Sequence, residues 1–243
     1  MRRLIAFVAR CFILAGLLAS PALAFFPGIT TIPMLFTAAP KVLTFQTSAT
    51  DTSTQTTYTF TSQAIGTAAA DRYVIVAFQW SAASARTCST GTIGGVAASL
   101  VSDGTNSATL SNGNPGTCII IALVPTGTTA TIAITLSGSA IRAGIGVWSA
   151  TGLLSATAKN VQTSTANPGT VTLNVLAGGF AIGDAGNDNA GTTTWTNLTS
   201  RYDTNIVSGR MQSGADAKTS AGTLAITATR SASAAPLLIG ASW

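Results

Sequence analysis

An all-β fold, a sandwich or barrel of antiparallel strands, is what this chain predicts, on three observations. Several runs alternate apolar and polar residues with a period of two. Other runs are apolar on both parities, as strands covered on both faces must be. Between the runs lie clusters of Gly, Asn, Asp and Pro at the spacing of strand–turn–strand architecture.

The chain opens with "MRRLIAFVARCFILAGLLASPALA". Arg2, Arg3 and Arg10 form a positive start, Cys11 to Ser20 an apolar run, and Ala22-Leu23-Ala24 a small-x-small cleavage pattern, so residues 1–24 are expected to be a signal peptide. The apolar run is too short to span a bilayer, and no integral membrane span is expected in the mature chain. Residues 25–40, "FFPGITTIPMLFTAAP", are apolar but broken by three prolines, which excludes a regular helix and predicts an extended arm. Its apolar side chains, Phe25, Phe26, Ile29, Ile32, Met34, Leu35 and Phe36, are expected to contact another subunit or to cover the domain's own sheet edge.

Residues 41–243 are expected to hold the β-sandwich, as one unit or as two sub-sandwiches with a break near 155. Leu43 and Phe45 share one face of "KVLTFQT", and Tyr58 and Phe60 alternate with Thr57, Thr59 and Thr61. Ile132, Ile134 and Leu136 alternate with Thr131, Ala133 and Thr135. "TVTLNVL" and "TLAITATR" repeat the design with Val171, Leu173 and Val175, then Leu224 and Ile226. These read as strands with one wet face. "YVIVAF" (73–78), "CIIIALV" (118–124), "AGIGVWS" (143–149) and "PLLIGASW" (236–243) read as central strands covered on both sides. No amphipathic helix is evident.

The stretch "GTIGGVAASLVSDGT" needs a decision, because a Gly-rich turn can grip phosphate. A phosphate loop requires a helix after it, and "VAASLVSDG" ends at a turn signal instead. Gly94-Gly95 therefore predicts a two-residue hairpin turn.

Charged residues make up 8% of the chain, every acid is Asp, and there is no His and no Glu. Triads that use His, His-based zinc sites and glycosidases built on Glu are thereby excluded, and no catalyst is expected. Three of the twelve basic residues lie in the leader, which leaves nine against seven acids. Those nine are scattered singly, unlike the basic face of a nucleic-acid binder. No cofactor is expected. "GDAGNDNAG" gathers Asp184, Asn187, Asp188 and Asn189 on what reads as a loop. Such oxygens are calcium ligands, Asp184 and Asp188 above all, but short of the six to eight required, and the same residues serve turns by bonding their own backbone. Cys88 and Cys118, the thiols beyond the leader, suit a disulfide in an exported chain or two small buried residues in a cytoplasmic one. Among the tryptophans, Trp148 reads as core. Trp195 lies in the polar stretch "GTTTWTNLT" and is the ring best placed to stack on a sugar, with a core-edge role as the alternative. Trp243 is similar to the closing aromatic of outer-membrane barrel strands, but the aromatic content of 7% is low for the girdles of such a barrel.

The run "FTSQAIGTAAADRYVIVAFQW … TIGGVAASL … CIIIALVPTGTTATIAITLSGSAIRAGIGVWSATGL", within residues 56–154, resembles a loosely defined group of β-rich proteins of phages and bacterial genomes. They share a strand after "AADR", a "TIGGVA" hairpin, and a "VPTGTTA" turn into a Thr-rich strand. The resemblance implies a jelly-roll-like or immunoglobulin-like sandwich serving as a virion component, in a tail or on a head surface; it brings no functional residues. The expected function is thus a non-enzymatic subunit whose Thr/Ser-rich faces and apolar arm pack against other copies or a virion lattice. The alternative is an exported module, periplasmic or extracellular, that binds glycan through loops such as 184–197.

Overall fold

The computed structural model describes residues 40–101, 114–187, 191–207, 210–231 and 237–243. The expected leader and all of the arm except Pro40, including Phe25, Phe26, Ile29, Ile32, Met34, Leu35 and Phe36, lie outside the described residues.

Alternating sequence becomes strand throughout. The first half of the chain forms β1 (Val42–Asp51), β2 (Gln55–Ala64), β3 (Tyr73–Ala82), β4 (Cys88–Ile93), β5 (Val96–Ala97), β6 (Ser99–Leu100), β7 (Asn114–Leu123), β8 (Thr129–Ala140) and β9 (Arg142–Thr151). After residues 152–159, the second half forms β10 (Asn160–Ser164), β11 (Gly169–Val175), β12 (Phe180–Asn187), β13 (Thr193–Thr196), β14 (Thr199–Val207), β15 (Arg210–Lys218), β16 (Gly222–Arg230) and β17 (Leu237–Ser242). All strand pairings among the described residues are antiparallel. The Gly94-Gly95 link is a hairpin turn between Ile93 and its partner Val96, with φ of +61° and +79° at the two glycines. Those angles are why glycine stands there.

The described residues form four sheets, ordered β1-β9-β3-β7-β6, β2-β8-β4-β5, β10-β17-β12-β15-β14 and β11-β16-β13. They pack face to face as layers. Val74, Val76 and Phe78 on one face of the first sheet meet Tyr58, Ile132 and Ile134 of the second. On its other face, Ile75, Ala77, Ile119 and Ile121 meet Phe180, Ile182 and Ile239 of the third. The far side of that third sheet, at Ala181, Ala185 and Leu238, packs on Val171, Leu173 and Ile226 of the fourth. The order is therefore outer, inner, inner, outer. β3, β9, β12 and β17 lie in the two inner sheets with both faces covered, the physical reason their sequences are apolar on both parities. Each Ile or Val so buried contributes roughly 1.5–3 kcal/mol.

The two halves repeat one strand order. β1-β9-β3-β7 has its counterpart in β10-β17-β12-β15, and β2-β8-β4 in β11-β16-β13, with the matched strands following one another in the same order along the chain. The central outer strands also align residue by residue, Thr131-Ile132-Ala133-Ile134-Thr135 with Thr223-Leu224-Ala225-Ile226-Thr227. The halves differ at one edge, where β5 lies on the outer sheet and has no partner strand in the second half.

Two devices brace the first half. Cys88 on β4 and Cys118 on β7 are disulfide-bonded, with Cα atoms 6.5 Å apart, and so join an outer sheet to an inner one. Arg72, fully buried, donates to the carbonyls of Gly66, Val124, Thr126 and Gly127 at 2.6–2.9 Å, tying two loops together at the end of the sandwich. Loss of hydration lowers its pKa, and the four carbonyl dipoles take the place of water.

The disulfide closes a loop of 30 residues. Replacing both cysteines by alanine is expected to lower unfolding stability by about 3–4 kcal/mol, read from the urea midpoint, through the freedom returned to the unfolded chain. An unchanged midpoint would contradict this.

Candidate functional site

Polar chemistry concentrates in two places: the seam between the inner sheets, and the outer faces of the stack. At the seam, alternation along β12 turns Asp184 toward the first half. Its Oδ1 accepts from Gln79 Nε2 at 2.5 Å and from the Tyr202 hydroxyl at 3.2 Å, and its Oδ2 accepts from Thr117 Oγ1 at 2.6 Å. Gln79 and Thr117 belong to the facing inner sheet, so this carboxyl bridges the two halves. It is fully buried, and its three side-chain partners are neutral. Burial pushes its pKa up to about 7, against the opposing pull of the hydrogen bonds. Burial, and then the neighbouring Asp184, raise Tyr202 well above the usual phenol value.

A second carboxylate crosses the same seam with a cation in place. Asp216 accepts from Trp148 Nε1 of the facing sheet at 2.8 Å, and from Arg201 Nε and Nη2 at 2.8 and 2.5 Å. Glycine lets these groups fit. A Cβ on Gly214 would sit 2.7 Å from the Tyr202 ring and 2.9 Å from Trp148, and one on Gly146 would overlap Tyr202.

This placement corrects the reading of Asp184 and Asn187 in "GDAGNDNAG" as loop residues. Asp184 and Asn187 are buried residues of β12, which runs to Asn187. Asp188 and Asn189 lie outside the described residues. Both oxygens of Asp184 already accept hydrogen bonds, and among the described residues no three His, Cys, Asp or Glu side chains gather as a metal site would require.

Trp195 is corrected in the same way. It lies in the core between the third and fourth sheets, 9% exposed, with its indole N–H donated to Ser213 Oγ at 2.8 Å. Its ring fills the space where a Cβ on Gly183 would be 2.6 Å away, so no face is offered to a sugar. Trp148 is core, as expected. Trp243 is buried against Phe180, with ring centroids 5.4 Å apart.

Among the described residues, three surface grooves are lined by no carboxylate. The most apolar, about 310 Å³, is formed by residues 153–159 with Lys41, Leu176 and Trp243. Leu154 stands at its rim, 93% exposed. A second, about 390 Å³, is lined by Gln46, Arg72, Ser149 and several threonines. A third lies between Leu100 and Val161.

The outer faces carry threonine in cross-strand rows. On one, Thr57 of β2 pairs with Thr135 of β8, which pairs with Thr90 of β4. On the other, Thr170 of β11 pairs with Thr227 of β16, which pairs with Thr196 of β13. The apolar residues between them in sequence point inward, so period-two alternation produces both rows. Sequence reading saw the individual threonines but not the rows, which depend on register.

No protein-family model, no curated protein and no solved structure is significantly similar to the chain. No helix among the described residues is long and apolar enough to cross a membrane.

A carboxyl whose pKa is higher folded than unfolded stabilises the fold fully below about pH 4, and that contribution is lost as pH rises toward 7. Asp203, also raised by burial, acts in the same direction. Unfolding free energy is expected to fall between pH 4.5 and 7.5, with Asp184 contributing up to about 1.4 kcal/mol per pH unit. Asp184→Asn should flatten the profile; a variant curve as steep as wild type would place the slope elsewhere. Trp195→Ala is expected to cost about 3–5 kcal/mol of stability, the effect of a core cavity, measured by urea denaturation.

Proposed function

We propose that the chain is a non-enzymatic structural subunit, a tandem pair of jelly rolls that assembles with other copies or with a virion surface or tail lattice. The jelly-roll reading is supported by strand order. β1-β9-β3-β7 facing β2-β8-β4-β5 is the interleaving that two Greek keys produce, and the second half repeats most of it. The non-enzymatic reading is supported by the lack of His and Glu, and by the position of Asp184, sealed in the seam and lining none of the three grooves.

One observation carries the assembly reading. Leu154 is held almost wholly in water at the rim of an apolar groove, with the exposed Leu176 on the same groove. Grouped apolar side chains of this kind mark surfaces that a partner covers. The arm, residues 25–40, is the other contact proposed. The resemblance of residues 56–154 to phage and bacterial β-rich proteins points the same way.

A second reading, an exported binding module, is favoured by the Cys88–Cys118 bridge, which suits an oxidising compartment. With Trp195 in the core, that reading has no identified sugar platform.

Deleting residues 25–39 and, separately, Leu154→Asp are each expected to reduce oligomer mass in native mass measurement and incorporation into particles. If both variants assemble as wild type does, the structural-subunit reading loses its contacts. N-terminal sequencing of native material separates the two readings, since a start at Phe25 marks an exported chain.

A further inference from the structure

Gln79 and Thr117 stand directly opposite each other on β3 and β7, and both side chains reach one carboxyl of β12. Thr117 Oγ1 donates to Asp184 Oδ2 at 2.6 Å, and Gln79 Nε2 donates to Oδ1 at 2.5 Å. A hydroxyl, a primary amide and a proton carrier that touches both are the parts an acyl transfer needs. Reach is supplied by the pairing. Opposed residues of antiparallel strands hold their Cβ atoms about 4.5–5.5 Å apart, and the four bonds of a Thr–Gln ester, Cβ–Oγ1–Cδ–Cγ–Cβ, span about 5 Å when extended. Asparagine in place of Gln79 would fall one bond short.

Three further features favour reaction over a standing hydrogen bond. Gln79 Oε1 is buried and accepts no hydrogen bond among the described residues, an unfavourable position for an amide oxygen. An ester oxygen is a weaker acceptor and an ester has no N–H to satisfy, so conversion lowers the polar demand of the seam. Burial lifts Asp184 to a pKa of about 7, which lets one carboxyl both take and give a proton near neutrality in a chain without His. Gln79, Thr117 and Asp184 are all buried, which keeps away the water that would hydrolyse the product.

We propose that the Thr117 hydroxyl and the Gln79 amide condense to an ester that ties β3 to β7, with Asp184 carrying the proton. Oγ1 attacks Gln79 Cδ as its proton passes to Asp184 Oδ2. The Cδ–Nε2 bond breaks as Oδ1 gives its own proton to the nitrogen, and ammonia leaves. Asp184 ends as it began, protonated on its other oxygen; nothing is oxidised or reduced and no co-reactant is consumed. This is a single turnover on the chain itself, independent of how the subunit assembles.

The test is peptide mass measurement on the mature, disulfide-bonded chain. After reduction and trypsin digestion, segments 73–86 and 87–142 are expected to stay joined, about 17 Da lighter than their sum, the mass of the ammonia lost. Both cysteines lie within 87–142, so the disulfide cannot account for the joint. Mild alkali should then separate the two, leaving 73–86 about 1 Da heavier because its amide has become an acid. Thr117→Val, without the nucleophile, and Asp184→Asn, without the proton carrier, are expected to lose the joint. Thr117→Ser and Ser81→Ala keep every reacting group and should retain it; circular dichroism reports the fold of each variant. Wild-type segments that separate at their unmodified masses overturn the proposal whatever the variants do. A joint that survives in Thr117→Val or Asp184→Asn overturns it as well.

Discussion

The fold depends on two sheets, each already half of a sandwich, burying their second faces against each other. That contact decides the composition of the inner strands, because a residue on either parity meets protein. It also creates the chain's hardest electrostatic problem, since any polar group on those strands loses water on both sides. Asp184 and Asp216 solve it differently. The first is held by neutral donors drawn mainly from the opposite half, and burial raises its pKa; the second is held by an arginine and a tryptophan N–H. Both join sheets that backbone hydrogen bonds cannot join. Glycines at 146 and 214 let the rings of Tyr202 and Trp148 settle between the layers.

Much of the layer order was legible before any coordinates. Runs apolar on both parities are inner strands, the alternating runs of β2, β8, β11 and β16 are outer ones, the alternating β1 is the edge of an inner sheet, and Gly94-Gly95 is the hairpin its flanks require. The Cys88–Cys118 pair was legible as a bridge once export was read from the leader. What failed was "GDAGNDNAG", read as a loop because Gly, Asn and Asp are turn formers. Gly183 is glycine because the Trp195 ring takes the place of its side chain, and Asp184 is polar because Gln79 and Thr117 reach across to it. Both reasons are tertiary, and neither leaves a mark in local composition. Trp195 failed for the same cause: polar neighbours in sequence alternate outward while the ring itself turns inward.

The internal repeat could have been found from sequence. "TIAIT" and "TLAIT" stand at the same place in each half, but they are short, and around them the cores are filled by different side chains. Register makes the equivalence visible. Once Thr135 and Thr227 are seen to hold corresponding partners, the four sheets resolve into two copies of one plan stacked by their inner layers.

The copies are not equally braced. A covalent tie fastens the outer layer of the first to its inner layer, whereas the second contains no cysteine at all. Pulled along its length, such a molecule keeps residues 88–118 closed by the bridge whatever the force, whereas every described segment of the second half is free to extend.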